Sequence, residues 1–578
     1  MESEQQRRKR KRFYRSYAYT KLLSQRSLLI SSFFFVFLLF ISSDRFTIRT
    51  TSFHPVLQAS STLSRLSSRL VLDSSTNRQL PLRVADRVVF PDHLLLIVSE
   101  KIFDRRLVLE CVYYSNDSVN QQVIAQRAFS FNEYQEHKSI VRCPLTPANY
   151  SATVTLSRTG DVADGDWSRQ MMNPAVLYWD ELAYEAALDG NSVLVFVKGL
   201  NLRPHRESDP SQLRCKFGFQ SWEKNQGLVS TTKAIKAAQE VVRCLLPRSL
   251  RNNPDKAQEV RVTVIHANAV VPVPSVARIH DLKPAKRIQR KKYELCACTM
   301  LWNQAFTLRE WIMYHAWLGV DRWFIYDNNS DDGIEEVMDE LALKNYNVSR
   351  HVWPWIKSQE AGFSHCALRA RSECKWVGFF DVDEFFFFPP RGGRQVVSGQ
   401  NGLRSLIANF SSSSKRIAEI RTDCHSFGPS GLSSHPLQGV TIGYTCRLQS
   451  SERHKSIVRP EALDLTLLNK VHHFKLREGF RYLNVPETTA VINHYKYQAW
   501  ETFKAKFYRR VSSYVVDWQE DQNKGSKDRA PGLGTEAVEP PDWRRRFCEV
   551  WDTGLRDFVL ANFADTASGF LPWERSLT

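Results

Sequence analysis

An α/β fold is predicted for the C-terminal half of this chain, behind a β-rich segment and an N-terminal membrane anchor. Three observations predict it. From about residue 293, apolar runs of strand character alternate strictly with segments of helical spacing. From about 86 to 280 the apolar runs are all short and strand-like. At the N-terminus a strongly basic stretch abuts an uncharged one. With 578 residues the chain exceeds one typical domain, so two or three folded units are expected.

The formal net charge is +18. Residues 1–26 hold nine Lys and Arg against Glu2 and Glu4, or +7 of that total. Ser27 to Ser43, SLLISSFFFVFLLFISS, follows as 17 residues without a charge. That length is at the short end of what spans a bilayer. The basic flank lies on the N-terminal side, so the positive-inside rule keeps 1–26 cytosolic and places everything after 43 in the lumen, as a single-pass type II protein. A cleaved signal peptide shares the basic-then-apolar order, but no small-x-small site follows Ile41. A short, Phe-rich span suits the thinner membranes of the Golgi and early secretory pathway. The RRKRKR run is explained by this topology, so no nucleic-acid partner is assigned.

Residues 44–85, rich in Ser, Thr, Leu and Arg, read as a stem. Between 86 and 280 come RVVFP, HLLLIVS, RLVLECVYY, SATVTLS, SVLVFVKGL, RCKFGF, VVRCLLP and VRVTVI, separated by turn residues. Such spacing is that of a sandwich or a pair of small β units. Its role is either sugar binding or purely structural. Residues 281–292 read as a basic linker. The lumen favours disulfides, and of the eleven cysteines Cys111–Cys143, Cys215–Cys244 and Cys424–Cys446 are the expected pairs, with an odd total leaving at least one thiol over. Sequons stand at Asn116, Asn149, Asn347 and Asn409, and Asn328 matches one within the site argued below.

From 293 to 578 the elements run in order. Glu294–Thr299 is a strand. Phe306–Leu318 is a helix, with Leu308, Trp311, Ile312, His315 and Leu318 at helical spacing. Arg322–Tyr326 is a second strand, ending in Asp327-Asn328-Asn329-Ser330-Asp331-Asp332. A helix to about Leu343 opens with Asp332 and Glu335 in the spacing of a capping box. Val348–Ile356 is a third strand and Phe363–Cys374 a third helix. Trp376–Phe380 is the fourth strand, delivering Asp381-Val382-Asp383-Glu384. Strands and helices in this alternation imply a parallel sheet with helices on both faces, where ligands bind beyond the carboxyl ends of the strands. Both acidic clusters fall on that edge.

Two residues apart on a strand, Asp381 and Asp383 present their carboxylates to one side. Paired there, they form a hard oxygen site for Mg²⁺ or Mn²⁺. There is no G-x-G-x-x-G, P-loop, G-x-S-x-G or H-E-x-x-H. A nucleotide is therefore expected to be held through a metal rather than by glycines. Lys455 and Arg459 suit a diphosphate or an acidic acceptor, and equally a solvated face. Trp353 and Trp355 offer apolar faces to a sugar ring or to the core. The basic segment Phe503–Arg510 is a surface for an acidic polysaccharide or a solvated helix face.

REWIMYHAWLGVDRWFIYDNNSDD (309–332), FFDVDEF (379–385), FGPSG (427–431) and INHYKY (492–497) together resemble glycosyltransferase family 92, and in particular its plant members, which include the β-1,4-galactan synthases. The resemblance covers about 290–565. It implies a GT-A fold and an inverting transferase of the Golgi, moving a sugar, galactose by resemblance, from a UDP-sugar to a polysaccharide or oligosaccharide acceptor. It implies Asp381 and Asp383 as the metal-binding D-x-D, Asp327 as the nucleotide-contacting acid with Asn329 beside it, and His494 as a further metal ligand, with His472 and His473 competing. Asn303-Gln304 departs from the Asn-Glu frequent in relatives. Inversion needs a base; Asp423 is the candidate, His425 the alternative, and a disulfide-tethered loop through Cys424 the competing explanation. A homodimer is compatible with the chain. Two other readings are a non-catalytic Golgi glycan-binding protein with a vestigial transferase fold, and a glycoside hydrolase. Hydrolase carboxylates straddle a bond about 5–9 Å apart, whereas Asp381 and Asp383 are expected to point to one spot.

Overall fold

The computed structural model describes residues 82–574 apart from 117–121, 136, 159–174, 201, 203–205, 219–228, 283–290, 391–398, 471 and 507–538. They belong to one compact unit, Gln79–Thr578. The expected basic tail, membrane helix 27–43, most of the stem and most of the linker lie outside the described residues. Among the described residues no helix is long and apolar enough to cross a membrane.

Between Val84 and Asp281 the chain builds two β units. In the first, a five-stranded sheet ordered Ser130–Tyr134, Lys138–Cys143, Leu94–Val98, Val84–Val89, Val176–Tyr178 shares a core with a three-stranded one, Val123–Arg127, Leu109–Ser115, Tyr150–Arg158. The expected Cys111–Cys143 bridge joins the two sheets. The second unit is a seven-stranded sheet closed by the expected Cys215–Cys244 bridge. Leu94–Val98 is buried at every position. Leu94, Leu96 and Val98 face the core between the first unit's sheets, while Leu95 and Ile97 face the C-terminal half. A strand covered on both sides loses the apolar–polar alternation of a half-exposed one.

The C-terminal half is organised by a nine-stranded sheet. Its strands are β1 (Tyr293–Leu301), β2 (Arg322–Asp327), β3 (Val348–Val352), β4 (Cys374–Phe379), β5 (Glu384–Phe387), β6 (Ile417–Ser426), β7 (Arg453–Val458), β8 (Arg481–Asn484) and β9 (Val491–His494). Spatial order is β3-β2-β1-β4-β7-β6-β9-β5, with β8 beside β6. The first four strands are parallel, as expected, and their order reverses at β1, the point where such sheets open a ligand crevice. Helices α1 (Ala305–Trp317), α2 (Ile334–Leu343) and α3 (Gln359–Ala370) connect them. Strand alternation distributes the side chains: Leu295, Ala297, Trp323 and Ile325 pack toward α1 and α2, whereas Cys296, Cys298, Phe324 and Tyr326 pack toward α3.

Several local expectations are corrected. β3 stops at Val352 because Pro354 lacks the N–H that a ladder needs. α3 spans Gln359–Ala370 rather than Phe363–Cys374; its first turn contains Gly362, a weak helix former that is pressed against Met300 and Trp353. The capping box at Asp332 does not form. Gly333, at φ +76°, caps α2, and the Asp332 carboxylate instead accepts the Ala305 N–H at the start of α1 (2.7 Å). Cys446 bridges Cys548 rather than Cys424, which is a buried free thiol. Two further bridges, Cys296–Cys374 and Cys298–Cys366, follow from geometry: Cys296 and Cys298 share a face of β1, beside β4 and beneath α3.

Trp353 and Trp355 are fully buried in the core, and Trp355 also borders the cavity described below. Trp355 stacks on Trp179 (centroids 5.6 Å, 16°) and packs on Phe90 and Tyr184, while Trp353 meets Tyr184 and Phe196 edge-on. All four partners belong to the β units, so one apolar cluster joins the two halves. Polar contacts flank it: Arg371 with Asp189 (3.0 Å), Lys198 with the Lys357 carbonyl (2.7 Å) and Arg142 with the Asn329 carbonyl (3.1 Å). Trp355→Ala is expected to destabilise the chain by about 3–5 kcal/mol. A urea-melt midpoint unchanged from wild type would show that the two halves do not share this core.

Candidate functional site

Strand direction decides which residues meet at one sheet edge. β1, β2 and β4 end there, as do β6 and β9, which run parallel to each other. β7 and β5 are antiparallel to their neighbours β4 and β9, so they begin at that edge. The carboxyl ends of five strands therefore face the first residues of two others.

Asp381 and Asp383 occupy the tight turn between β4 and β5, not the end of a strand as expected. Glu384 closes the turn: its Oε2 accepts the Asp381 N–H (2.9 Å), and it is wholly buried. Three carboxylates in four residues require countercharge. Val377 pairs with Val458 and Phe379 with Ser456, which brings Lys455 level with the turn. Lys455 Nζ donates to Asp381 Oδ2 (2.8 Å) and to His472 Nε2 (2.7 Å), and lies 2.8 Å from Glu384 Oε1. Lys506, in the helix over 500–506, donates to Asp383 Oδ2 (2.6 Å). His494, level with Glu384 across the β5–β9 ladder, lies 3.6 Å from both Asp383 and Glu384.

Burial alone would raise both aspartates. At Asp381 Lys455 and His472 outweigh it and hold the carboxyl down at about 2. At Asp383 Lys506 and His494 hold it well below the usual carboxylate range. Burial pushes Glu384 up. His472 is pushed down to about 3 by burial and by Lys455, so it is neutral and accepts the lysine's hydrogen bond. Two carboxylates held ionised and an imidazole beside them are donors that suit Mn²⁺, so the donor set fits a divalent ion. Among the described residues no three His, Cys, Asp or Glu side chains form a ready-made metal cluster.

These groups line a cavity of about 360 Å³. Across the sheet its lining runs from Asn328 and Gln304, beyond β2 and β1, through Asp381 beyond β4 and Lys455 on β7, to Ser426 on β6 and His494 on β9; Asp383, Glu452, Arg453, His472, Lys496 and Lys506 line it too. Of the expected site residues, Asp381, Asp383, Lys455 and His494 are thus brought together. Asp327 is fully buried and does not reach the cavity: it accepts from the Ser330 N–H (3.0 Å) and from Arg350 (2.8 Å), shaping the loop that carries Asn328. Asn329, at φ +67°, donates its amide to the Pro354 carbonyl (3.1 Å). Asn328 donates its amide to the Trp353 and Trp355 carbonyls, committing it inward as expected for a site residue rather than a glycan acceptor. Arg459 pairs with Glu461 (3.0 Å) and lies outside the cavity. His473 turns away to Ser456 and Glu419.

Asp423 and His425 are corrected by strand alternation. Cys424 and Ser426 line the cavity, so their neighbours on β6 face the other side of the sheet. There burial and Glu487 raise Asp423, while His425, lowered by burial and Arg447, meets Arg447 (3.2 Å) and Glu487 (3.5 Å). Sequence reasoning gave no site role to Glu384, Glu452 or Lys496 and read Lys506 only as part of the basic segment Phe503–Arg510. Glu384, contiguous with the D-x-D, Lys496, within INHYKY, and Lys506 carried a local signal; Glu452 did not.

Residues 291–529 match the family described as Glycosyltransferase family 92. A glycosyltransferase family 92 protein of Ricinus communis is 65% identical over 583 residues, covering 100% of each chain. One of Arabidopsis thaliana is 56% identical over 567 residues, covering 96% of each. Among solved structures, a mannosyltransferase of Pyrobaculum calidifontis in complex with GDP-Man and Mn²⁺ aligns over 40% of this chain and 65% of its own, at 9% identity and a TM-score of 0.25, a likeness too loose to add to the assignment.

Lys455→Met would leave Asp381 and Glu384 buried without their shared countercharge. Such a loss is expected to cost about 3–5 kcal/mol of stability, part of it recovered by adding Glu384→Gln. Chemical denaturation of the single and double variants checks this; a loss under about 1 kcal/mol would mean that the cluster is solvated.

Proposed function

The chain belongs to glycosyltransferase family 92 and is a glycosyltransferase, and from that premise we propose that it is an inverting, metal-dependent enzyme of GT-A type, moving galactose from UDP-galactose to a cell-wall glycan. The observation that carries the reading is the turn at 381–384, where two depressed carboxylates meet His494 in the one cavity that also receives Gln304 and Asn328. Asp381, Asp383 and His494 would hold a divalent ion, which supplies charge neutralisation for the leaving diphosphate. Asn328 and Gln304 stand at the end of the cavity suited to the nucleoside, beyond the strand-order reversal. Lys455 keeps Asp381 ionised and aimed. Lys496 and Lys506 add positive charge to the same cavity, Lys506 directly at Asp383, where a diphosphate beside the metal would meet a point charge.

Five disulfides support folding in an oxidising compartment. With the basic tail and the apolar run 27–43, they support a Golgi protein of type II topology with the transferase in the lumen. Galactose as the donor sugar and a cell-wall polysaccharide as acceptor rest on the resemblance to the plant members of the family.

Release of UDP from a panel of UDP-sugars, with Mn²⁺ and with chelator, tests the reading. Turnover is expected with UDP-galactose and metal, and Asp381→Asn or Asp383→Asn is expected to lower it about 10²–10³-fold while the fold persists. Turnover that survives chelation in the wild type, or in either variant, would rule out the metal role of the D-x-D.

A further inference from the structure

We propose that Glu452 is the general base that takes the proton from the acceptor hydroxyl, an assignment that rests on the inverting transfer proposed above. That reaction forms a bond from the acceptor oxygen to the anomeric carbon while the bond from that carbon to the diphosphate oxygen breaks. The electron pair leaves on the β-phosphate, and the hydroxyl proton must go to a group on the acceptor side of the cavity.

The strand ladders say which side that is. The nucleoside end is set by Gln304 and Asn328, beyond β1 and β2, and β4, which leads into the D-x-D turn, is the next strand across the sheet. Proceeding across the sheet from Glu384, the next position is His494 on β9, and the next is Ser426 on β6, each aligned with the last in register. Ser426 Oγ donates to Glu452 Oε2 (2.5 Å), and Lys496 Nζ donates to the same oxygen (3.0 Å). Counted from β1 and β2, β6 stands past the D-x-D strand β4 and past β7, so Glu452 lies on the side of β4 away from the nucleoside end, with its side chain 16% exposed. A serine and a lysine on one oxygen fix the carboxylate's orientation and leave its other oxygen to receive a proton.

The other carboxylates at the cavity are poorer candidates. Asp381 and Asp383 are committed to cations. Glu360 is exposed in the first turn of α3, where its backbone carbonyl accepts from the Asn469 amide (2.9 Å). Asp423 and His425 project from the opposite face of β6. Glu452 alone combines a place in the cavity, distance from the nucleoside end, and a fixed orientation.

The test uses the full chain with UDP-galactose as donor, β-1,4-galacto-oligosaccharides as acceptor probes and Mn²⁺ as the metal. Glu452→Gln is expected to lower kcat about 10²–10⁴-fold, to leave UDP affinity in the presence of Mn²⁺ within threefold of wild type, roughly 0.65 kcal/mol, and to abolish the acidic limb of the kcat/KM–pH profile. Glu452→Asp keeps the carboxylate but retracts it, so it is expected to lose rate and retain the acidic limb. Glu360→Gln serves as the control. Near-wild-type kcat in Glu452→Gln, or the same loss appearing in Glu360→Gln, overturns the assignment. A wild-type chain that neither binds UDP with Mn²⁺ nor transfers galactose overturns the donor reading, and the role of Glu452 with it. Intact metal-dependent UDP binding in a Glu452→Gln chain that transfers normally leaves the donor reading standing and removes only the base.

Discussion

The site depends on one electrostatic constraint: Asp381, Asp383 and Glu384 cannot be buried in a single turn without positive charge brought from elsewhere. Desolvating a carboxylate costs several kcal/mol, and no cation is near in sequence. Lys455 arrives because β7 runs antiparallel to β4 and so begins where β4 ends. Its ammonium is shared between Asp381 and Glu384, with His472 accepting a further hydrogen bond. Lys506 arrives from the helix over 500–506 to meet Asp383. The reversal of strand direction halfway across the sheet is therefore an electrostatic requirement as much as a topological one. A wholly parallel sheet would deliver carboxyl ends to this edge and leave the acids unpaired.

A second constraint comes from the aromatic seam. Trp353 and Trp355 leave β3 directly into a cluster built by Phe90, Trp179, Tyr184 and Phe196. The same short segment supplies the carbonyls that hold Asn328 and Asn329. Packing against the β units thus sets the position of the loop at the nucleoside end of the cavity. Arg142, from the β units, reaches the Asn329 carbonyl directly, and Arg350 ties Asp327 to Asn132. Domains that meet through a large apolar surface move as one body. The β-rich half is accordingly part of what shapes the site, whatever else it binds.

Much of this was legible in the sequence, for reasons that mark where legibility ends. The alternation of β1 to β4 with α1 to α3 could be read because burial imposes periods of 2 and 3.6 on local sequence. The D-x-D could be read because it interrupts such a run. Helix ends were misplaced where the signal was a backbone property: Gly333 caps α2 through its positive φ, and Asp332 serves a different helix 27 residues earlier. Cysteine pairing was right where partners lie within one β unit, 32 and 29 residues apart, and wrong for Cys446, whose partner Cys548 is 102 residues away. Glu452 left no local signature and Lys506 only that of a basic segment, because their importance comes from what the sheet places opposite them.

The contrast between Asp423 and Glu452 shows how a chemically reasonable assignment can fail on geometry alone. Asp423 is an acid beside a histidine, near the motif FGPSG, and its chemistry suits a base. It lies on a regular strand, however, and a strand gives alternate residues to opposite faces. Cys424 is buried against the cavity, which decides the face of every other residue of β6: Ser426 is in, Asp423 and His425 are out. Ser426 then matters less for its own chemistry than for its hydroxyl, which reaches across to the segment before β7 and orients Glu452. The acid that faces the acceptor is thus chosen by the parity of β6 and by the long connection, residues 427–452, that returns the chain antiparallel to it, so the base is specified by the same reversal of direction that brings Lys455 to the aspartates.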